Sequence, residues 1–255
     1  MEQSVFFDNH EGEKLAGTLH LPDKPSVRGL VFGHCFTCSR HTRILIRICH
    51  ELAKAGCMAL RFDFSGNGQS EGSFTETTYS KHIGEMKTAV SFLREKGVSQ
   101  IGLAGHSMGA AIAVLTAAET DGILAVCGMA GHLTGLAPAR LLTSSQQDEL
   151  ERTGQVSLMS RGRSLQLSER FFNDAGQHDL PGCIRSLTAP LLVVHGDQDE
   201  IIPVTVAHEA CDLRPEGIEL SIIPGADHMF GREAHREETT RLVTDWFVRH
   251  LGASD

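Results

Sequence analysis

The sequence predicts an α/β protein with a mostly parallel central sheet flanked by helices, and three observations carry that prediction. Short apolar runs of strand length alternate with longer segments whose apolar residues recur at helical spacing. Runs such as GLVFG and PLLVV lack the in–out alternation of a half-exposed strand, as burial on both faces requires. A chain of 255 residues is long enough for one such sheet with its covering layers, and no internal repeat or low-complexity tract suggests another architecture.

In chain order, residues 3–8 and 13–21 read as two antiparallel strands around the polar turn NHEGE, closed by Pro22. Residues 28–33 are the first buried strand. Residues 40–55 place Ile44, Ile48, Leu52 and Ala55 on one helical face, with Gly56 as the stop. A strand at 57–64 leads through the turn SGNGQSEG into a helix at 78–96. QIGLAGH at 100–106 is a strand and 108–119 a helix; 123–131 and 190–196 are strands. A helix at 204–212, a strand at 218–223 and a helix at 233–251 complete the pattern. Residues 132–189 break the rhythm, because they separate two sheet strands by far more than one crossover helix needs. Their polar pattern reads as part helix and part hairpin. They are expected to form an inserted cap before the acid-bearing strand, with 1–131 and 190–255 as the core of a single structural domain.

Composition narrows the function classes. A net charge of −9 without a basic face excludes nucleic acid as the main partner. The N-terminus has no basic stretch followed by an apolar run, and no apolar stretch approaches the roughly 20 residues that span a bilayer, so neither a signal peptide nor a membrane segment is expected. The seven cysteines are scattered, and Cys57 and Cys127 lie in apolar runs where cysteine packs as a small hydrophobe; the expectation is a reduced, cytoplasmic protein. Oligomeric state is not legible, and a homodimer stays open. No H-E-x-x-H or paired-cysteine spacing accompanies the fourteen histidines, so no metal and no cofactor is expected.

The chemistry is carried by Gly105-His106-Ser107-Met108-Gly109, a G-x-S-x-G between a predicted strand and a predicted helix. That context puts the serine on a sharp turn above the sheet edge and aims the first N–H groups of the helix at the reacting centre. A serine hydroxyl needs a general base, and the base needs an acid to orient it. Two later loops supply candidates at the carboxyl ends of strands: Asp197 and Asp199 after PLLVVHG, and His228 in GADHMF after IELSIIP. His228 is the candidate base.

These motifs resemble the α/β-hydrolase superfamily along the whole chain. The pattern G-x-x-D-x-x-x-P, from Gly196 to Pro203, implies Asp199 as the acid, with Asp197 a turn-capping carboxylate. The family's oxyanion hole implies the N–H of Met108 and, from the loop Gly33-His34-Cys35-Phe36-Thr37-Cys38-Ser39-Arg40, the N–H of Phe36. Related esterases carry His-Gly-Phe-Thr there, so Cys35 replaces a glycine. The H-C-F-T-C-S version is similar to the hydrolase half of proteins in which such a hydrolase is fused to an OsmC-like domain. Cys35 and Cys38 fit a redox pair or two packed thiols. The loop from Asp63 to Ser70 matches the family's D-x-x-G-x-G-x-S and reads as a structural turn, not a phosphate cradle.

The resemblance to feruloyl and cinnamoyl esterases and their carboxylesterase relatives implies a small-molecule carboxylic ester substrate, with Ser107, Asp199 and His228 as triad and an acyl-enzyme intermediate. A thioesterase or amidase would use the same residues. A ligand-binding or regulatory protein with a vestigial triad is the rival from another class.

Overall fold

The computed structural model describes residues 1–160 and 162–252. β1 (Glu2–Asp8) and β2 (Lys14–His20) form the opening hairpin. Its turn is held by Asn9, whose side-chain oxygen accepts the N–H groups of Glu11 and Glu13, both at 2.9 Å. There follow β3 (Arg28–Gly33), α1 (Arg43–Lys54), β4 (Met58–Phe62), α2 (Tyr79–Glu95), β5 (Gln100–His106), α3 (Met108–Ala118) and β6 (Ile123–Met129). α1 begins three residues later than the periodicity suggests, because Arg40 is drawn out of the helix to pair with Asp63 in the core. β6 stops at Met129 because Ala130 turns to a positive φ of 47°.

Between β6 and the next sheet strand lie a 3₁₀ turn (Pro138–Leu141), α4 (Ser144–Thr153), a hairpin of β7 (Gln155–Ser160) and β8 (Arg163–Ser168), α5 (Glu169–Ala175) and α6 (Leu180–Ser186). Among the described residues the hairpin is a two-stranded sheet of its own, separate from the main sheet. α4 buries no residue; a capping box between Thr143 and Gln146 and a left-handed Gly154 hold its ends. Val156, Leu167, Phe171 and Leu180 nevertheless join the main core, so the excursion is packed down onto it. The chain closes with β9 (Leu191–Gly196), α7 (Thr205–Leu213), β10 (Ile218–Ile223) and α8 (Glu233–His250).

Eight strands form the main sheet in the order β1-β2-β4-β3-β5-β6-β9-β10, parallel from β4 to β10 and antiparallel at the β1–β2–β4 edge. The central strands are buried from end to end, which accounts for their unbroken apolar runs. α1 and α8 pack on one face, over Leu30, Phe32, Cys127 and Val194. α2, α3, α6 and α7 cover the other, and α3 is buried on nearly all sides because the excursion lies beyond it.

After β3 the chain winds to β4 on one side, then crosses to β5 on the other. A crevice therefore opens beyond the carboxyl ends of β3 and β5, where open α/β sheets bind ligands. The loop 34–40 and Ser107 emerge into it. Among the described residues no helix is long and apolar enough to cross a membrane.

Candidate active site

Ser107 follows β5 with φ 57° and ψ −117°, a backbone position that side-chain-bearing residues rarely adopt. Its N–H donates to the Met129 carbonyl at 2.8 Å, which fastens the turn to β6. The flanking glycines are obligatory for steric reasons. A Cβ on Gly105 would stand 1.9 Å from the Gly109 oxygen, and one on Gly109 would stand 2.4 Å from the Gly33 oxygen. The motif thus packs the start of α3 directly against the ends of β3 and β5. Met108 occupies the first position of that helix, where an N–H has no intrahelical acceptor.

Asp199 and His228 lie in the loops after β9 and β10, 29 residues apart in sequence, and the structure brings them together. The Asp199 Oδ2 atom is 2.8 Å from His228 Nδ1. An ionised carboxylate only accepts, so the proton sits on Nδ1 and the lone pair on Nε2, as a general base requires. The other oxygen, Oδ1, accepts the N–H groups of Ile201 at 2.9 Å and Ile202 at 2.8 Å. Burial by itself would raise the Asp199 carboxyl; hydrogen bonds from His195, His228 and the Ile202 N–H outweigh it and hold the group well below the usual carboxylate range. Asp197 is exposed, and its Oδ1 accepts the Gly225 N–H at 2.6 Å, as a capping carboxylate does.

His106 links this pair to the serine. Its Nε2 donates to the His228 carbonyl at 2.8 Å, and the two rings lie 5.1 Å apart. The loop carrying His228 is thereby anchored to the residue preceding Ser107. Among the described residues the Ser107 hydroxyl makes no hydrogen bond.

The loop after β3 supplies the other wall. His34 is fully buried, its Nδ1 donating to the Cys35 carbonyl at 2.7 Å while Nε2 accepts the Phe64 N–H at 3.1 Å. Burial lowers its pKa, in keeping with a neutral ring serving as a bracket. Cys35 and Cys38 are joined by a disulfide, and the Cys38 N–H returns to the Cys35 carbonyl at 3.0 Å. This pair departs from the expectation of reduced thiols. The N–H of Phe36, inside the four-residue ring, has no acceptor among the described residues. Its side chain packs on Phe74 and on Phe171 of α5, both with ring centroids at 5.2 Å.

The turn from Asp63 to Ser70 is structural. Asp63 takes the Arg40 N–H at 2.6 Å, the Gln69 N–H at 3.0 Å and the Arg40 guanidinium, all out of solvent. Arg40 and His195 had no place in the sequence reading of the site. His195 carries a visible signal, four positions before Asp199, that its apolar strand and thirteen other histidines obscure.

Above Ser107 lies a cavity of about 330 Å³, walled by Phe36, Tyr79, Leu136, Leu158, Leu167 and Phe171 among others. Its polar lining includes Thr37, Tyr79, His132, Ser160 and the Ser107 hydroxyl, with no lysine, arginine or carboxylate among the described residues. Among the described residues no group of three or more His, Cys, Asp or Glu side chains converges as metal ligands would.

A family model described as serine aminopeptidase, S33, matches residues 37–132. The monoacylglycerol lipase of Mycolicibacterium smegmatis is 25% identical over 269 residues, covering 94% of this chain and 95% of that protein. The mitochondrial palmitoyl-protein thioesterase ABHD10 of Mus musculus is 30% identical over 149 residues, which is 56% of this chain and 49% of that protein. Among solved structures, Est1E of Butyrivibrio proteoclasticus with bound ferulic acid superposes with a TM-score of 0.85 at 26% identity, covering 97% of this chain and 99% of that one. The fold is that of the α/β hydrolases, and the hydrolase match and these esterase relatives make the chain a carboxylic ester hydrolase similar to the serine esterases of that fold.

Proposed function

We propose that the protein hydrolyses carboxylic esters of small to medium acyl or aryl groups through a Ser107–His228–Asp199 triad. The observation that carries this reading is the 2.8 Å bond between Asp199 and His228 Nδ1, which leaves the Nε2 lone pair available to take a proton. In the reaction, Ser107 Oγ attacks the ester carbonyl as its proton passes to His228 Nε2. The negative charge that develops on the carbonyl oxygen is met by the N–H groups of Met108 and Phe36. His228 returns the proton to the departing alcohol. Water then attacks the acyl-enzyme with His228 again as base, releasing the acid and restoring Ser107. Contact between serine and base tightens on substrate binding, as apo sites commonly require.

A cavity lined mainly by apolar side chains, with no charged one among the described residues, supports a neutral acyl or aryl group. Residues 132–189, which contribute Leu136, Leu158 and Phe171 to that cavity, act in this reading as its cap. A cytoplasmic setting fits the five unpaired cysteines, with the Cys35–Cys38 disulfide as the feature against it. Thioester hydrolysis is the second reading, favoured by the ABHD10 likeness over 149 residues.

A fluorophosphonate probe should label the protein and fail to label Ser107→Ala. Turnover of p-nitrophenyl esters of graded length, methyl ferulate and an acyl-CoA then ranks the acyl groups and separates ester from thioester. A well-folded protein that is neither labelled nor active would make it a binding protein with a vestigial triad.

A further inference from the structure

His195 ends β9 four residues before Asp199 and is fully buried. It does not line the cavity above Ser107. Two acceptors surround its Nε2: the Ile202 carbonyl oxygen at 2.9 Å and the Asp199 Oδ2 at 3.2 Å. Neither a carbonyl nor an ionised carboxylate can donate, so the proton must sit on Nε2. The N–H is aligned on Ile202, and the Asp199 oxygen stands to one side of that line. The remaining nitrogen, Nδ1, is buried and has no hydrogen-bond partner among the described residues. An unsatisfied buried polar atom costs on the order of 1–3 kcal/mol, a cost that an apolar side chain in the same strand position would avoid. Packing therefore gives no reason for a histidine here, whereas its one satisfied nitrogen meets the turn that carries the acid. That turn is closed at both ends: Oδ1 of Asp199 holds the Ile201 and Ile202 N–H groups, and His195 holds the carbonyl of the same Ile202.

We propose that His195 is a positioning residue for the acid, fastening the Asp199–Ile202 turn to the end of β9 so that Oδ2 is presented to His228 Nδ1. The inference rests on the triad reading above and extends it by one residue, which touches neither substrate nor Ser107. It acts twice: through the Ile202 carbonyl it fixes the loop, and through the N–H beside Oδ2 it keeps that oxygen ionised and oriented. Glutamine can reach with a side-chain N–H to nearly the place of Nε2; phenylalanine fills the volume without the donor.

The test compares His195→Phe, His195→Gln and Asp199→Asn with the parent on a p-nitrophenyl ester, together with the far-downfield proton NMR signal of the His228–Asp199 bond. In His195→Phe, kcat should fall about tenfold, the scale of one hydrogen bond to a charged group, with KM unchanged. The downfield signal should shift upfield or broaden away, and His195→Gln should restore both. A side chain that served packing alone would lower stability and leave that signal where it is. His195→Phe with parental kcat and signal, or His195→Gln as impaired as His195→Phe, overturns the proposal. If the phenylalanine variant does not fold, His195→Asn, one carbon too short to reach Ile202, carries the same comparison. Asp199→Asn separates the two levels: if it leaves activity intact the triad reading itself fails, whereas if it abolishes activity while His195→Phe is silent only the role of His195 fails.

Discussion

On one side of the crevice, Asp199 and His228 come from the loops of two adjacent strands: Asp199 is held by the Ile201 and Ile202 N–H groups of its own loop, and the His228 carbonyl by His106 at the end of β5. On the other side, the Phe36 loop is braced by partners from two distant parts of the chain, the turn at Asp63–Phe64 and the β7–β8 hairpin. His34 brackets it to Phe64, Arg40 ties its end to Asp63, and the tip of the β7–β8 hairpin touches Thr37. There Thr37 Oγ1 lies 2.7 Å from Ser160 Oγ, and Arg163 donates to the Thr37 carbonyl at 3.1 Å. The difference is instructive about preorganisation. Among the described residues, the hydrogen bonds of Asp199 and His228 come from β5, β9 and their own loops and none from the excursion, whereas the Phe36 loop, the proposed oxyanion side, takes its shape from a hairpin, a disulfide and a buried ion pair. A change in the excursion can reach the oxyanion loop without disturbing Asp199 or His228.

The comparison breaks most sharply at the acid. Asp199→Asn should lower kcat by about 10⁴, since the imidazole is then held in the wrong tautomer. Asp197→Asn should cost no more than a few-fold, because its carboxylate only caps the Gly225 N–H. Steady-state rates on one ester decide this, and equal losses would remove Asp199 from the triad.

The next effect belongs to the opposite wall. Opening the Cys35–Cys38 bond with a dithiol, which is itself oxidised to a cyclic disulfide, frees the ring around the Phe36 N–H. Complete loss of one oxyanion donor costs about 10²–10³ in kcat; a loop still bracketed by His34 should lose less, about tenfold. Thiol titration under denaturing conditions should rise from five to seven on reduction. KM should change little, and Cys35→Ser should reproduce the reduced rate. Equal rates before and after reduction would show that His34 and Arg40 alone hold the loop.

The same division explains what the sequence disclosed. The strand–helix order is legible because apolar runs and helical spacing are local, and the serine turn because Gly105 and Gly109 have no steric substitute. Asp199 and His228 stand out by their places after the last two strands. The oxyanion wall is less legible. Arg40 meets Asp63 across 23 residues and Thr37 meets Ser160 across 123, and neither contact follows from any periodicity. The spacing Cys35-x-x-Cys38 is visible, yet spacing alone does not distinguish a bond from two packed thiols. The antiparallel pairing of β2 with β4 is likewise set by the whole sheet and not by either strand.

Severing the hairpin contact should be milder. Thr37→Val removes the Ser160 hydrogen bond but keeps the Arg163 bond to the carbonyl, so kcat should fall only two- to three-fold, about half a kcal/mol. A double-mutant cycle with Ser160→Ala checks that the loss is shared. Strictly additive losses would mean that the hairpin tip does not brace the loop.

The smallest effect on turnover is expected at Glu85, behind the turn that anchors Arg40. Its carboxyl is fully buried, with Oε1 taking the Asn9 side-chain N–H and Oε2 the Ser65 N–H, both at 3.2 Å. Burial pushes it up to about 7, against the pull of these hydrogen bonds and of Lys81. An unfolded glutamate titrates near 4.3, so between about pH 4 and pH 7 the folded chain binds more protons at this site than the unfolded chain does. Stability from this group is therefore full below pH 4 and is lost as pH rises through 7, by on the order of 3 kcal/mol. Glu85→Gln keeps a neutral group of the same shape and removes that slope. The melting temperature of the variant should gain on the parent from pH 5 to pH 8, while kcat at pH 7 stays within two-fold. Parallel melting curves across that range would mean that Glu85 is charged in the folded protein at both ends, with Lys81 and the Ser65 turn stabilising the anion more strongly than burial opposes it.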